Sequence, residues 1–255
     1  MSKSRPDGQF SGTIHLSNQD LENVRADKLI IRAVLPPGDE RLFVGEVRLT
    51  ANNGLTVISD IDDTIKITNV NDRKATLRNT FLEPFRAVPG MAEAYRNWAQ
   101  EEGAEFCYVS ASPWQLLLPL SSFLSSNGFP AGAFYLKNFR WKDESFFNLF
   151  ESPEKYKPRV IEPLLKEFPH RRFVLAGDSG ERDPEIYGEL ARRFPAQVVK
   201  ILIRDVTNEP EQSERYQGAG GTGAARSGAF HGLAPGVWTV FRDPKEIVDC
   251  VSERK

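Results

Sequence analysis

Two aspartates, separated by one residue, follow an apolar run near the end of the first quarter of the chain. Residues 56–64 read Thr-Val-Ile-Ser-Asp-Ile-Asp-Asp-Thr, so Asp60 and Asp62 come at the end of a predicted strand. Ligands of open α/β sheets bind beyond the carboxyl ends of strands. Carboxylates this close repel each other unless a cation or a shared proton intervenes. The pattern therefore predicts a Mg²⁺ site with oxygen ligands, in which one aspartate could also attack phosphorus.

Other interpretations of this acidic pair can be compared on the sequence. An EF-hand loop that began at Asp60 would need glycine at its sixth position and glutamate at its twelfth. Those positions hold Ile65 and Asn71, which excludes an EF-hand. A Mg²⁺ site for a nucleotide-sugar diphosphate and a plain acidic turn after a strand both stay open at this point.

Two further polar side chains come where predicted strands end or helices begin. Ser110 follows an apolar run at 106–109 and precedes a predicted helix over 113–126, so its hydroxyl could bind an anion or simply cap the helix. Lys157 precedes a predicted helix over 159–168, where its charge opposes the helix dipole. A bound anion would explain that position, and a solvated surface lysine would fit equally well.

A third polar signal follows the predicted strand over 173–176. The small residue Gly177 precedes Asp178, which lets a carboxylate reach a ligand without crowding. Asp183 precedes a proline and could support the site or cap the next helix.

These signals taken in order resemble the four motifs of the haloacid dehalogenase superfamily of phosphotransferases. The resemblance implies an aspartyl nucleophile, an acid/base two residues later whose backbone carbonyl also binds Mg²⁺, and groups that hold the transferring phosphoryl oxygens. Backbone N–H groups at 61, 62 or 111 would assist. The implied residues are Asp60 and Asp62 for catalysis; Ser110, Ala111 and Lys157 for phosphate; Asp60, Asp62 and Asp178 for Mg²⁺; and Thr64 and Asp183 in support.

A closer resemblance is to the Mg²⁺-dependent phosphatidate phosphatase family of the yeast actin-patch protein type. It covers about residues 55–205 and is carried by residues 59–66, 88–91, 108–113, 128–130 and 177–187. The family implies hydrolysis of phosphatidate to diacylglycerol through an aspartyl-phosphate, at a membrane surface. A phosphatase of a soluble phosphomonoester is the alternative within the same class. A non-catalytic interaction module with the same fold is the alternative from another class.

A signalling receiver also uses an acidic cluster, an acceptor aspartate, a hydroxyl and a lysine. In receivers the lysine comes last, whereas here Lys157 precedes Asp178. Receivers also lack an acid/base equivalent to Asp62. The order of the residues therefore favours an enzyme.

The predicted elements place these residues in an α/β fold. Strand and helix signals alternate from residue 55 onward, which predicts a Rossmann-like open parallel sheet with helices on both faces. Short runs with β-branched residues at 10–16, 29–35 and 42–49 predict a small all-β segment. We expect an N-terminal region over 1–53 and a catalytic domain over 54–255.

The composition excludes several other classes. The 255 residues are 40% hydrophobic and 27% charged, and a net charge of −2 predicts no binding of nucleic acid. No apolar run approaches the roughly 20 residues that span a bilayer, so no transmembrane segment is expected. Two cysteines are too few for a disulfide framework or a typical zinc site. We expect a cytoplasmic protein with peripheral membrane contact.

Four segments have no assigned role in this scheme. Residues 134–150 interleave aromatic and basic side chains, as in a membrane interface or in a core of aromatics with basic residues outside. Residues 65–90 could form a cap, and the apolar helix over 114–124 is expected to be buried. Residues 217–236 predict a flexible loop; their Gly-x-Gly-x-x-Gly at 218–223 lacks the preceding strand of a dinucleotide site.

Overall fold

The computed structural model describes residues 12–17, 19, 28–69, 76, 78–79, 83–137, 153–218 and 228–251. The chain divides into two compact units, Met1–Asn52 and Asn53–Lys255. The division lies one residue before the expected boundary, and whether each unit is an independent domain stays a prediction.

The first unit contains a two-stranded antiparallel sheet. Strand β1 (Lys28–Arg32) pairs with β2 (Val44–Arg48), and Leu29 lies opposite Val47. The β segment is thus confirmed in these two runs. The strand expected at 10–16 is wrong for residues 12–16, which have no regular structure and pair with no described strand; residues 10 and 11 lie outside the described part.

The second unit is built on a six-stranded sheet. Its strands are β3 (Asn53–Asp60), β4 (Glu105–Pro113), β5 (Gly132–Lys137), β6 (His170–Asp178), β7 (Val198–Arg204) and β8 (Trp238–Phe241). They lie in the order β5-β4-β3-β6-β7-β8, and every neighbouring pair is parallel. The chain moves outward from β3 to β5 and then returns to the other side of β3. The carboxyl ends of β3, β4 and β6 therefore surround the topological switch point, where such sheets bind ligands.

Helices cover both faces of this sheet, as expected for the fold class. They are α1 (Met91–Glu101), α2 (Leu117–Ser126), α3 (Pro153–Glu167), α4 (Asp183–Arg193) and the short α5 (Glu214–Gln217). Successive strand side chains point to opposite faces, so Val57 packs into one apolar cluster with Trp98 of α1. Ile58 packs into the second cluster with Ile161 of α3 and Leu190 of α4.

Several boundaries differ from those expected, and two of them move site residues. Strand β4 continues through an irregularity between Ser110 and Pro113, so a 3₁₀ turn at Trp114–Leu116 precedes α2. Helix α3 begins at Pro153 and contains Pro158. A proline inside a helix removes a hydrogen bond and usually marks a helix boundary, which is why the sequence placed the start after it.

Other segments carry weaker signals or lie outside the described residues. Strand β5 (Gly132–Lys137) was not predicted, because the pattern of 134–150 indicates only an alternation of aromatic and basic residues. The helix expected over 244–252 is a 3₁₀ turn, Pro244–Ile247. The described residues exclude 138–150, most of 70–82 and 219–227, so the interface, cap and loop interpretations stay predictions there.

Trp98 offers a test of this packing. Its side chain is fully buried and its indole N–H donates to the Val248 carbonyl at 2.7 Å, which ties the C-terminal segment to α1. We expect Trp98→Ala to lower the free energy of unfolding by about 3–5 kcal/mol, because a large cavity and an unpaired carbonyl result. Urea denaturation measures this loss. The matched variant Trp114→Ala removes a tryptophan that is 37% exposed and should cost clearly less than Trp98→Ala.

Candidate active site

The sequence-predicted site residues converge at the carboxyl edge of the sheet. Asp60 is the last residue of β3 and lies beside Val109 of β4, and the preceding Ser59 lies beside Ala176 of β6. Asp178 is the last residue of β6. Most of these side chains are inaccessible to solvent. The buried ones are Asp60, Thr64, Ser110, Lys157, Asp178 and Asp183.

Lys157 lies at the centre of the acidic cluster. Its Nζ is 3.0 Å from Asp60 Oδ1 and 3.0 Å from Glu181 Oε2, and it also pairs with Asp183. The predicted position before a helix is wrong, since Lys157 is within α3. The ion pairs explain why a lysine is buried here. Burial by itself lowers the pKa of Lys157, but Asp183, Asp60 and Glu181 outweigh it and hold that pKa well above its ordinary value.

The carboxylates outnumber the ammonium that neutralises them. Burial raises the pKa of Asp60 well above its ordinary value; Lys157 opposes that rise, while Asp183 and Glu181 add to it. The pKa values of Asp178 and Glu181 are also raised, first by burial. Like charges in a buried cluster favour protonation or the binding of a further cation.

The arrangement of oxygen atoms fits a metal ion. Carboxylate oxygens of Asp60, Glu181 and Asp183 lie within 4.8 Å of one another, so this buried triad could bind a metal. Asp178 Oδ1 accepts hydrogen bonds from the N–H groups of Gly180 at 2.6 Å and Glu181 at 3.3 Å. Its Oδ2 is buried and accepts no hydrogen bond from the described residues. A buried carboxylate oxygen without a donor is costly unless a cation binds it.

Asp62 has different neighbours from Asp60, and both of its carboxylate oxygens accept hydrogen bonds. Its Oδ1 is 2.7 Å from Lys66 Nζ and accepts a hydrogen bond from Thr68, while its Oδ2 accepts from Ser110 at 2.9 Å and Ser112 at 3.1 Å. Burial raises the pKa of Asp62, but the ammonium of Lys66 and these hydrogen bonds outweigh it and lower the pKa to about 2. Asp62 is therefore a carboxylate in this arrangement.

Ser110 is not at the start of a helix, contrary to expectation. It lies in β4, because the strand continues to Pro113, and its hydroxyl donates to Asp62. Ala111 follows it in the same strand and is half-buried. Their role in holding phosphate stays a prediction.

The turn after β3 is fixed by several contacts. Asp63 has a left-handed backbone with φ of 54°, and its side chain accepts from the N–H groups of Thr68 and Asn69. Arg204 Nη1 donates to the Asp63 carbonyl at 2.6 Å. Thr64 Oγ1 donates to Asp60 Oδ2 at 3.1 Å, which orients the candidate nucleophile.

Gly177 is required by close packing. A Cβ atom at this position would lie 2.7 Å from the Cβ and Cγ of Asp183. No side chain fits there without displacing Asp183, which pairs with Lys157. The glycine therefore makes room for Asp183; that it also lets Asp178 reach a ligand stays a prediction.

Sequence reasoning missed three residues near the site. Glu181 lies between Asp178 and Asp183, and the density of acidic residues there was a usable signal. Lys66 lies four residues after Asp62, a spacing that brings opposite charges together on a turn. Arg215, which donates to the carbonyls of Ser179 and Glu181, had no local signal because it lies more than 30 residues away in sequence.

Comparisons with known proteins agree with this architecture. Residues 55–205 match the model of the family described as Phosphatidate phosphatase APP1, catalytic domain. Phosphatidate phosphatase APP1 of Saccharomyces cerevisiae is 37% identical over 158 residues, which is 61% of this chain and 26% of that protein. An uncharacterized protein of Schizosaccharomyces pombe is 32% identical over 173 residues, or 66% of this chain and 28% of that protein.

The fold and the site define an α/β protein with a buried acidic centre at the switch point of a parallel sheet. The chain belongs to the family of the phosphatidate phosphatase APP1 catalytic domain. It spans about a quarter of the length of the two yeast relatives. A chain of the Pnkp1/Rnl/Hen1 complex aligns with a TM-score of 0.40 at 12% identity, over 69% of this chain and 57% of that one. In the described part of the chain, no helix has the length and apolar character to cross a membrane.

The charge balance around Lys157 predicts a pH-dependent stability. Folded-state pKa values of Asp60, Asp178 and Glu181 are raised, so the folded protein binds more protons than the unfolded one above about pH 4. Its stability therefore falls as the pH rises through those pKa values. Lys157→Met removes the ammonium and should cost about 3–5 kcal/mol at pH 8, and much less at pH 5.5. Urea unfolding in EDTA measures both.

The matched control for this variant is Lys166→Met in the same helix. Lys166 is 64% exposed and pairs with Glu162 on the surface, so its replacement should cost less than about 1 kcal/mol at either pH. An equal loss for Lys157→Met at pH 5.5 and pH 8 would contradict the electrostatic account.

Proposed function

We propose that the second unit is a Mg²⁺-dependent phosphatase of the haloacid dehalogenase type, which hydrolyses phosphatidate to diacylglycerol through an aspartyl-phosphate on Asp60. The observation that carries this proposal is the pairing of Asp60 with Lys157 at 3.0 Å, together with a buried Asp178 oxygen that accepts no hydrogen bond from the described residues at the end of the neighbouring strand. The carboxylate of Asp60, the ammonium of Lys157 and the oxygen of Asp178 support the roles of nucleophile, cation for phosphoryl oxygens and metal ligand. The family match supports the same activity.

The residues that would hold Mg²⁺ are Asp60, Asp178 and the backbone carbonyl of Asp62. When bound, Mg²⁺ offsets the repulsion between an anionic nucleophile and a phosphate dianion. Lys157 already neutralises the side of the cluster formed by Asp60, Glu181 and Asp183. Asp178 Oδ2, which accepts no hydrogen bond from the described residues, is the oxygen left available for the metal.

Asp60 attacks the phosphorus in line, and the bond between phosphorus and the alcohol oxygen breaks. Asp62, which takes up a proton from solvent when the phosphate dianion binds beside it, gives that proton to the departing alkoxide. A water molecule then attacks the aspartyl-phosphate, and Asp62 takes a proton from that water. Inorganic phosphate leaves and the Asp60 carboxylate is restored.

The described contacts suit Asp62 to the second of these steps. Lys66, Thr68 and Ser110 stabilise its carboxylate form, which is the form that accepts a proton from water. The arrival of a phosphate dianion beside Asp62 favours its protonated form, which the first step needs. Lys157, Ser110 and the N–H of Ala111 hold the phosphoryl oxygens.

Exposed apolar side chains beside the site support a lipid substrate. In the described part of the second unit, the large apolar side chains at the surface are Trp114 and Leu118, which are 37% and 79% exposed. The expectation of a fully buried helix over 114–124 is wrong at these positions. They follow the end of β4, whose Ser110 and Ser112 contact Asp62.

The absence of charged side chains from this region of the sequence agrees with contact with a membrane. No charged side chain occurs between Glu105 and Lys137, in a chain that is 27% charged. Tryptophan and leucine at an uncharged surface suit a bilayer interface. We therefore favour phosphatidate over a soluble phosphomonoester, with peripheral membrane contact from the cytoplasm.

The nucleophile can be tested by Asp60→Asn. The variant lacks the attacking charge, so release of phosphate from phosphatidate in mixed micelles and from p-nitrophenyl phosphate should fall by roughly a thousandfold or more. EDTA should abolish activity of the parent. The matched control is Asp249→Asn, an exposed aspartate in the C-terminal segment, which should retain full activity. Normal turnover by Asp60→Asn would remove Asp60 from the mechanism.

The substrate can be tested with the pair Trp114→Ser and Leu118→Ser. Since each side chain can contribute about 1.5–3 kcal/mol on burial, activity on phosphatidate vesicles should fall about tenfold or more. Activity on p-nitrophenyl phosphate should change less than about twofold. Control substitutions Val34→Ser and Leu42→Ser, at 90% and 64% exposed positions of the first unit, should leave both activities unchanged. Unchanged vesicle activity in the Trp114 and Leu118 variant would favour a soluble substrate.

A further inference from the structure

Arg215 uses every N–H group of its guanidinium in hydrogen bonds to neighbouring segments. It belongs to α5, and its side chain is only 20% exposed. Nη1 donates to the Ser179 carbonyl at 2.6 Å and to Glu209 Oε2 at 2.9 Å. Nη2 donates to the Glu181 carbonyl at 2.6 Å and to Glu185 Oε2 at 3.3 Å, and Nε donates to Glu185 Oε1 at 3.0 Å.

The two carbonyls belong to the turn that joins β6 to α4. They flank Gly180, whose N–H donates to Asp178 Oδ1. The N–H of Glu181 donates to the same oxygen. The turn therefore directs its N–H groups toward Asp178 and its carbonyls toward Arg215. Rotation of the peptide between Ser179 and Gly180 would break both the bond from Arg215 to its carbonyl and the bond from its N–H to Asp178.

The same turn sets the position of the acidic cluster. Asp178 precedes it, and its unbonded Oδ2 is oriented by the bonds that Oδ1 accepts. Glu181 lies in the turn and reaches Lys157. Arg215 thus acts on both carboxylates through the backbone between them, without touching either carboxylate.

The charge of Arg215 is neutralised away from the cluster. Glu185 and Glu209 form ion pairs with it at 3.0 Å and 2.9 Å. The bidentate pair with Glu185, the second residue after Asp183, also fixes the first turn of α4. The contribution of Arg215 to the site is therefore geometric.

We propose that Arg215 is a positioning residue for the metal site: it holds the turn at 179–181 so that the metal ligand Asp178 and its neighbour Glu181, which pairs with Lys157, present their carboxylates in the arrangement described. This inference rests on the proposed function. Arg215 lies beyond residues 55–205, which the family model matches.

The test compares Arg215→Gln and Arg215→Lys with the parent full chain. Loss of a residue that orients metal ligands typically weakens metal affinity about 10–100-fold. We expect that loss in Arg215→Gln, measured by calorimetric titration of the metal-free protein with Mn²⁺ and with Mg²⁺. The Mg²⁺ concentration for half-maximal hydrolysis of p-nitrophenyl phosphate should rise in parallel. Arg215→Lys should restore little of the metal affinity, because one ammonium group cannot donate to both backbone carbonyls and to both carboxylate oxygens of Glu185.

Arg192→Gln is the matched control. Arg192 also donates from α4 to backbone carbonyls, those of Ala229 and His231, at 2.8 Å and 3.3 Å. This variant should keep metal affinity within about twofold even if its melting temperature falls. If Arg215→Gln fails to fold, Glu185→Gln takes its place, because it removes the negative charge that pairs with Arg215. This variant should also weaken metal affinity.

Two results would overturn the inference. One is a metal affinity equal to that of the parent in the folded Arg215 variants, or in Glu185→Gln if the Arg215 variants do not fold. That result would leave Arg215 with a purely structural role. The other is a parent chain that binds neither Mn²⁺ nor Mg²⁺. A parent that binds metal and hydrolyses no phosphoester would instead refute the proposed function, while the effect of Arg215 on metal affinity would still decide this inference.

Discussion

A concentration of negative charge in a buried place is the constraint on which the rest of the second unit depends. Asp60, Asp178, Glu181 and Asp183 meet at the carboxyl edge of the sheet. Burial disfavours the ionised forms of Asp60, Asp178 and Glu181. The ammonium of Lys157 offsets part of this charge. Helix α3 must therefore begin early enough to bring Lys157 to the sheet edge, and it does so despite containing Pro158 and Pro163. The remaining excess of negative charge is what gives the site its capacity for a metal ion.

The backbone around this cluster fixes the positions and the directions of the carboxylates. Gly177 leaves the space that Asp183 occupies, and the turn after β6 directs N–H groups at Asp178. Arg215 fixes that turn from the outer side. Because each of these contacts comes from a different segment, the site is a property of the assembled sheet edge and not of any one motif.

The two aspartates that follow β3 show how environment separates chemical roles. Asp60 is buried among like charges, and its pKa is raised; Asp62 lies among donors, and its pKa is lowered to about 2. Lys66 is what makes the difference for Asp62, since its ammonium is 2.7 Å away. Pairs of titratable groups with opposed pKa shifts are typical of acid/base catalysis. The two carboxyl groups therefore differ in proton affinity although only one residue separates them.

The sequence by itself determined the fold class and the order of the chemical groups. Apolar runs alternating with amphipathic stretches are local patterns, and they were sufficient to predict the parallel sheet and to place Asp60 and Asp178 at strand ends. The tertiary structure decided what local patterns cannot encode: the extension of β4 through Ser110, the early start of α3, and the convergence of Glu181, Lys66 and Arg215 on the site. The reason is that charge compensation and the direction of a turn depend on side chains from distant segments. Hydrophobic periodicity and the ends of strands, in contrast, depend on residues that are adjacent in the sequence.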